Sequence, residues 1–255
     1  VSGTVYGDIF SQQGPVDMSD MLLLPAGSNY LGAGGLRGDA AWKYVTEIST
    51  QIVAALAKTP EEGEKAKALI LESVEAMRAS GLGENVVAAG VATPSGPLSA
   101  SAAIYRAKDA AKGLDALVKI AGDAATNPAR LKMMQSGKVK VGDVAIADET
   151  LGDVQVKVIT QKLDFTDADP MEQQMIEKLM GSEIVTRLAA KDGKIYLTSM
   201  DDGRVMLELL SGKGGVDAEK ISKTLDTLGP NASDVAFISL QGFLAQIMTA
   251  MGTCV

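Results

Sequence analysis

The sequence predicts an α+β fold: antiparallel strands in one or more sheets, with amphipathic helices packed on a face. Three observations predict it. Apolar residues recur at three- and four-residue spacing in long segments, and turn-forming residues bracket three pairs of strand-like runs. In addition, 46% of the 255 residues are hydrophobic, enough for a sizeable core. Aromatics make up only 4%, with a single Trp42, so the core must draw on Ala, Val, Leu, Ile and twelve Met. Methionine fills irregular space but specifies geometry poorly.

Taken in order, Val1 to Phe10 reads as a β-like run. Trp42, Val45, Ile48, Ile52, Val53 and Leu56 form the inner face of a helix, with Asp39 placed to cap its start. Thr59, Pro60 and Glu62 supply an N-cap, a first-position proline and a capping-box acid. They open a second helix with Ala66, Leu69, Ile70, Val74 and Met77 inward and Gly81 as its stop. Asp169, Pro170 and Glu172 repeat that opening before Met171, Met175, Ile176 and Leu179, and Gly181 closes the segment. Further helices carry Leu114, Leu117, Val118 and Ala121, and, behind a capping Asp217, Ile221, Leu225 and Leu228.

Strand pairs fall between the helices. Asn85 to Thr93 pairs with Leu98 to Arg106 across Pro94-Ser95-Gly96-Pro97, and Val139 to Ala147 with Val154 to Leu163 across a turn ending in Gly152. Glu183 to Ala190 and Lys194 to Ser199 flank Asp192-Gly193, the strongest short hairpin signal in the chain. Arg204 to Leu210 alternates like a strand and also fits the start of a helix.

Two regularities suggest an internal repeat within a single module spanning 1–255, with units at about 1–135 and 136–255. Two strands followed by a helix occur at Asn85 to Gly122 and again at Glu183 to Leu228. Ser19-Asp20 precedes the apolar run Met21 to Leu24, as Ser233-Asp234 precedes Val235 to Ile238. In this order of elements, and in Ser233-Asp234-Val235-Ala236-Phe237-Ile238-Ser239-Leu240 leading into a helix, the chain resembles a loose group of uncharacterised bacterial extracytoplasmic proteins. In those proteins, repeats of helix and β-hairpin form an envelope-facing module. The resemblance implies a bacterial envelope protein and carries over no functional residue.

Composition narrows the function classes. A net charge of -8 and a pI near 4.7 argue against sequence-independent nucleic-acid binding, which needs clustered Lys and Arg. No apolar run approaches the roughly 20 residues of a membrane-spanning helix. Histidine is absent and Cys254 is the lone cysteine, so no Ser/His/Asp or Cys/His triad and no usual transition-metal ligand set can be assembled within the chain. Neither a metal nor an organic cofactor is expected. The start at Val1 and the apolar helical pattern Phe243 to Met251 close to the end read as a fragment or mature segment of a longer chain. Sparse cysteine suits a periplasmic or cell-surface protein and suits the cytoplasm equally.

The best candidate for a ligand loop is the glycine-rich stretch Gly32 to Gly38, with Gly32, Gly34, Gly35 and Arg37 as the binding residues. Glycines permit close backbone approach, and a helix start favours anions. Its spacing fits neither the dinucleotide fingerprint nor the Walker loop, so a plain connection is the competing reading. Acid pairs at Glu61-Glu62, Asp148-Glu149 and Asp201-Asp202 match a helix start and two turns. The expected function is therefore a non-enzymatic interaction or structural module of an exported bacterial protein, its partner a protein or a small apolar ligand. The alternatives are a carrier or sensor for an apolar molecule held between sheet and helices, and an enzyme taking a phosphate-bearing substrate at Gly32 to Gly38.

Overall fold

A computed structural model describes residues 4–91, 100–126, 139–171, 173–174, 177, 181–217, 219, 221–223 and 232–239. In chain order the elements are α1 (Val5–Gln12), a 3-10 helix (Ser19–Leu23), β1 (Ser28–Gly34), α2 (Gly38–Leu56) and α3 (Pro60–Ser80), then β2 (Asn85–Val91), β3 (Ala100–Arg106) and α4 (Ala110–Thr126). There follow β4 (Lys140–Leu151), β5 (Val154–Asp164), β6 (Glu183–Lys191), β7 (Lys194–Ser199), a short helix α5 (Arg204–Leu210) and β8 (Val235–Ile238). Helical residues also begin at Pro170 and follow Asp217.

All eight strands join one sheet in the order β4-β5-β6-β7-β3-β2-β1-β8, antiparallel at every described pairing. The α+β class and the antiparallel sheet are as the sequence predicts. Strand order reads alike from both sides: hairpins β6-β7 and β2-β3 meet at the central β7–β3 pairing, each followed in sequence by a helix. The two Ser-Asp segments, by contrast, fold differently, one as a 3-10 helix and the other ahead of a strand.

Alternation along the strands divides the core in two. On one face Leu188, Ile195 and Ile159 pack with Leu82 against Leu114, Leu117 and Val118 of α4 and Met77 of α3. Behind them α2 and α3 share Val53, Ala66, Leu56 and Ile70. The opposite face is covered as well: Val87, Ala89, Ala102, Ile104 and Tyr196 meet Met21 and Leu24 and the α5 residues Val205, Met206 and Leu209.

Local chemistry fixes most ends. Thr59 Oγ1 accepts the Glu62 N–H at 3.2 Å, the Glu62 carboxylate accepts the Lys58 N–H at 2.9 Å, and Gly81 closes α3 at φ +71°. Asp192 and Gly193 both take positive φ, 52° and 72°, the pattern of a two-residue type I′ turn joining Lys191 to Lys194. Gly181 also has positive φ, and its N–H donates to Glu177 O at 2.9 Å.

Five expectations need correction. Ile52 is 40% exposed rather than on the inner face of α2, because the neighbouring Val53 takes the position packed against α3. Val5 to Phe10 is helix rather than strand, because Thr4 Oγ1 accepts the Gly7 N–H at 3.0 Å and α1 then packs on α2. Asp39 does not cap α2 but lies inside its first turn, paired with Arg78; the Ala40 N–H is taken by Gln12 Oε1 at 3.1 Å. Strand β4 continues past Ala147 to Leu151, so the turn is the two residues Gly152 and Asp153. Met171 is 80% exposed instead of facing the core, since it sits in the first turn beside the capping Asp169. Arg204 to Leu210 resolves as helix. The Pro94 to Pro97 turn, Glu172, Met175, Ile176, Leu179, Leu225, Leu228 and the Phe243 to Met251 pattern lie outside the described residues.

Candidate functional site

Strand β1 is where the glycine-rich stretch and the hollows of the molecule meet. Gly32 and Gly34 belong to the strand itself, not to a connection; Gly35 and Arg37 follow it. A side chain at Gly32 would collide with the Tyr30 ring that lies over it, and one at Gly34 with the Asp234 carboxylate. One at Gly35 would strike the Glu84 carbonyl, and Leu36 N–H donates to Gly83 O at 2.8 Å. The glycines are thus accounted for by close packing.

Arg37 is engaged by neighbouring loops and is not among the residues lining the hollow at these glycines. Its Nε donates to Glu84 O at 2.9 Å, its Nη2 to Asn85 Oδ1 at 3.2 Å, and its Nη1 to Gly14 O. Gly32, Gly34 and Gly35 do line a shallow hollow of about 390 Å³ with Tyr30, Ala88 and Asp234. The charge it presents is therefore a carboxylate, and an anionic phosphate there would meet repulsion.

The other polar clusters hold elements together. Asp20, only 3% exposed, accepts from Arg106 Nε at 2.6 Å and Lys194 Nζ at 2.7 Å, while Arg106 also binds Ser19 Oγ and Asp17. Burial pushes the Asp20 carboxyl up, but the hydrogen bonds and charges of Arg106 and Lys194 outweigh it, and the group titrates below its ordinary value. Asp17 is held low as well, first by the Ser19 N–H. Asp201 is buried and accepts the Val205 and Met206 N–H groups at 3.1 and 3.2 Å, fastening the start of α5. Asp148 pairs with Lys157 at 2.6 Å and Glu149 with Arg187 at 3.1 Å. Each acid pair in the sequence is thus at least partly engaged in structural contacts. Among the described residues no three His, Cys, Asp or Glu side chains are grouped to hold a metal ion.

A larger cavity, about 420 Å³, opens on the opposite face of β1. Leu31 and Phe237, register partners on β1 and β8, form its floor, and Val216 and Ile221 face them from the segment that leads into the helix after Asp217. Pro25 and Ile238 extend the apolar wall. Ser28, Asn29, Asp217 and Ser239 supply its polar groups. Asn29 lies at an irregularity in the β1–β2 pairing, and its Nδ2 is buried without a hydrogen-bond partner. Sequence reasoning missed this site because three segments far apart in the chain build it. Its only trace there was the apolar face at Ile221 and the run Val235 to Ile238.

Eight antiparallel strands covered on both faces define an α+β protein. No family model, curated protein or solved structure matches the chain. Among the described residues no helix is long and apolar enough to cross a membrane.

Proposed function

We propose that this chain is a non-catalytic binding module that holds a small apolar molecule in the cavity between β1, β8, Gly215 to Asp217 and Ile221. The cavity carries the reading: it is concave, lies between sheet and helix, and has an apolar wall with a few polar groups. At about 420 Å³ it falls within the range of small-molecule sites. The order of elements, resembling bacterial extracytoplasmic modules, supports a periplasmic or cell-surface setting. Recovery of the native protein with the cytosol of its source cells would overturn that setting.

The test of the site is a titration with the neutral fluorophore N-phenylnaphthylamine. Saturable fluorescence enhancement is expected, abolished by Val216→Trp, which fills the cavity, with the thermal midpoint unchanged. Absence of saturable binding, or binding indifferent to Val216→Trp, sinks the reading.

A second reading, an interaction module for a protein partner, is favoured by β4. This edge strand is twelve residues long and leaves Ala145, Ile146, Ala147 and Asp148 exposed, a rim to which an extended segment could add. The same titration separates the two, since strand addition at β4 leaves the cavity out of play. An enzyme with a phosphate-bearing substrate at Gly32 to Gly38 draws least support, given Asp234 beside the glycines and the engagement of Arg37.

A further inference from the structure

We infer that the hollow over Gly32 and Gly34 is a second binding site, for a small protonated amine with a flat apolar body. It lies on the face of β1 opposite the apolar cavity, so it goes beyond the reading above and stands or falls without it.

The floor is made by what the strands lack. Register places Gly32 between Ala88 of β2 and Ala236 of β8, and Gly34 beside Val86. Small residues on three neighbouring strands let a ligand approach the backbone closely. At roughly 30 Å³ for each water-sized group, about 390 Å³ holds about a dozen heavy atoms.

Two polar groups stand over that floor. The Tyr30 side chain leaves its own strand position beside Gly90 and runs along β1, so that its phenol oxygen occupies the place of a Gly32 side chain. Asp234 Oδ1 occupies the place of one at Gly34. Side chains two apart on a strand stand about 7 Å from one another, so the phenol faces the carboxylate across a gap of roughly that width. No hydrogen bond joins the two. Among the described residues, Asp234 accepts from Ser233 Oγ at 3.0 Å and forms no ion pair, and the Tyr30 hydroxyl has no partner.

Charge decides the sign of the ligand. Asp234 is the only charged side chain among the described residues lining the hollow, and the whole chain carries a net charge of -8. Such a field draws cations and repels anions. A lone carboxylate is too little for a divalent metal ion, which takes about six or more oxygen ligands. An ammonium group is suited by it: one N–H bonds to Asp234 Oδ1, another can reach the Tyr30 oxygen, and the aromatic ring lies close by. The apolar body then rests on Gly32, Ala88 and Ala236 beside that ring.

Tryptamine, tryptophol and indole-3-propionate share one ring system and are respectively cation, neutral and anion at neutral pH. Titrations followed by the amide signals of Gly32, Gly34 and Ala236 in proton–nitrogen correlation spectra should show saturable shifts, with affinity falling in that order. Tryptamine should bind about fivefold more tightly than tryptophol, the size expected of an ion pair at an exposed carboxylate. Asp234→Asn should erase that advantage, and Ala236→Trp, at an exposed position of β8, should abolish binding of all three by filling the hollow. If Ala236→Trp does not fold, Ala236→Leu reads the same loss in part. Val216→Trp, which blocks the other cavity, should leave tryptamine binding intact. Absence of saturable shifts, indole-3-propionate equal to or better than tryptamine, an advantage that survives Asp234→Asn, or binding abolished by Val216→Trp overturns the amine site; none of these outcomes bears on the apolar cavity except the last, which would move the amine into it.

Discussion

Asp20 is the most buried charged side chain among the described residues, and two cations from neighbouring strands keep it ionised. Arg106 and Lys194 are register partners on β3 and β7, so the carboxylate ties the 3-10 helix to the centre of the sheet and separates two like charges. Asp20→Asn should cost about 2–3 kcal/mol, less than for a fully buried pair because Arg106 keeps 38% of its side-chain surface exposed. The sign of the pH dependence follows from the lowered titration. Asp20 contributes stability above the unfolded value near about 3.9 and loses it as pH falls through the lower folded value. Urea titrations at descending pH should show the wild type losing stability more steeply on the acid side than Asp20→Asn; parallel curves would contradict the assignment. Thr198 presents the opposite case. It is completely buried, and its Oγ1 has no partner among the described residues. Thr198→Val keeps the shape and removes an orphan hydroxyl, so it should be neutral or stabilise by up to about 1 kcal/mol. A clear loss in chemical denaturation would mean that the hydroxyl is satisfied.

The β6-β7 hairpin depends on two residues in the left-handed region. Gly193→Val forces a β-branched residue to φ near 72° and should cost about 1–2 kcal/mol. The thermal midpoint should fall by several degrees; an unchanged midpoint would remove the turn as the reason for the glycine. This hairpin and the Thr59-Pro60-Glu62 opening of α3 were legible in the sequence because their determinants lie within four residues of one another. The start of α2 was not, since its N–H at Ala40 is met by Gln12 from another helix. For α1 the β-like run Val1 to Phe10 suggested a strand, whereas the Thr4 cap and packing on α2 settle a helix. The glycines of β1 were noticed for the right property, close approach, but the approaching groups are Tyr30, Asp234 and Glu84 rather than a ligand. Recognising the cavity required knowing that Leu31 and Phe237 stand side by side, a pairing no local pattern encodes.

Across the whole molecule, β3 and β7 stand at the middle of the sheet with three strands on either side, and both faces above them are packed. Amide hydrogen exchange should therefore be slowest where Ala102 to Tyr105 pairs with Ile195 to Thr198, and fastest at the rims β4 and β8. Exchange in β8 as slow as in β3 would contradict this ranking. The pairing of Tyr30 with Ile238 brings together residues from near opposite ends of the chain. During synthesis, β1 and β2 leave the ribosome long before the strand that covers the outer side of β1 has been translated. For that interval β1 offers a row of unpaired backbone groups to any other nascent chain. Loss or delay of Val235–Ile238 would therefore leave molecules able to build most of their sheet yet prone to stick to one another, accumulating as aggregate rather than as unfolded monomer.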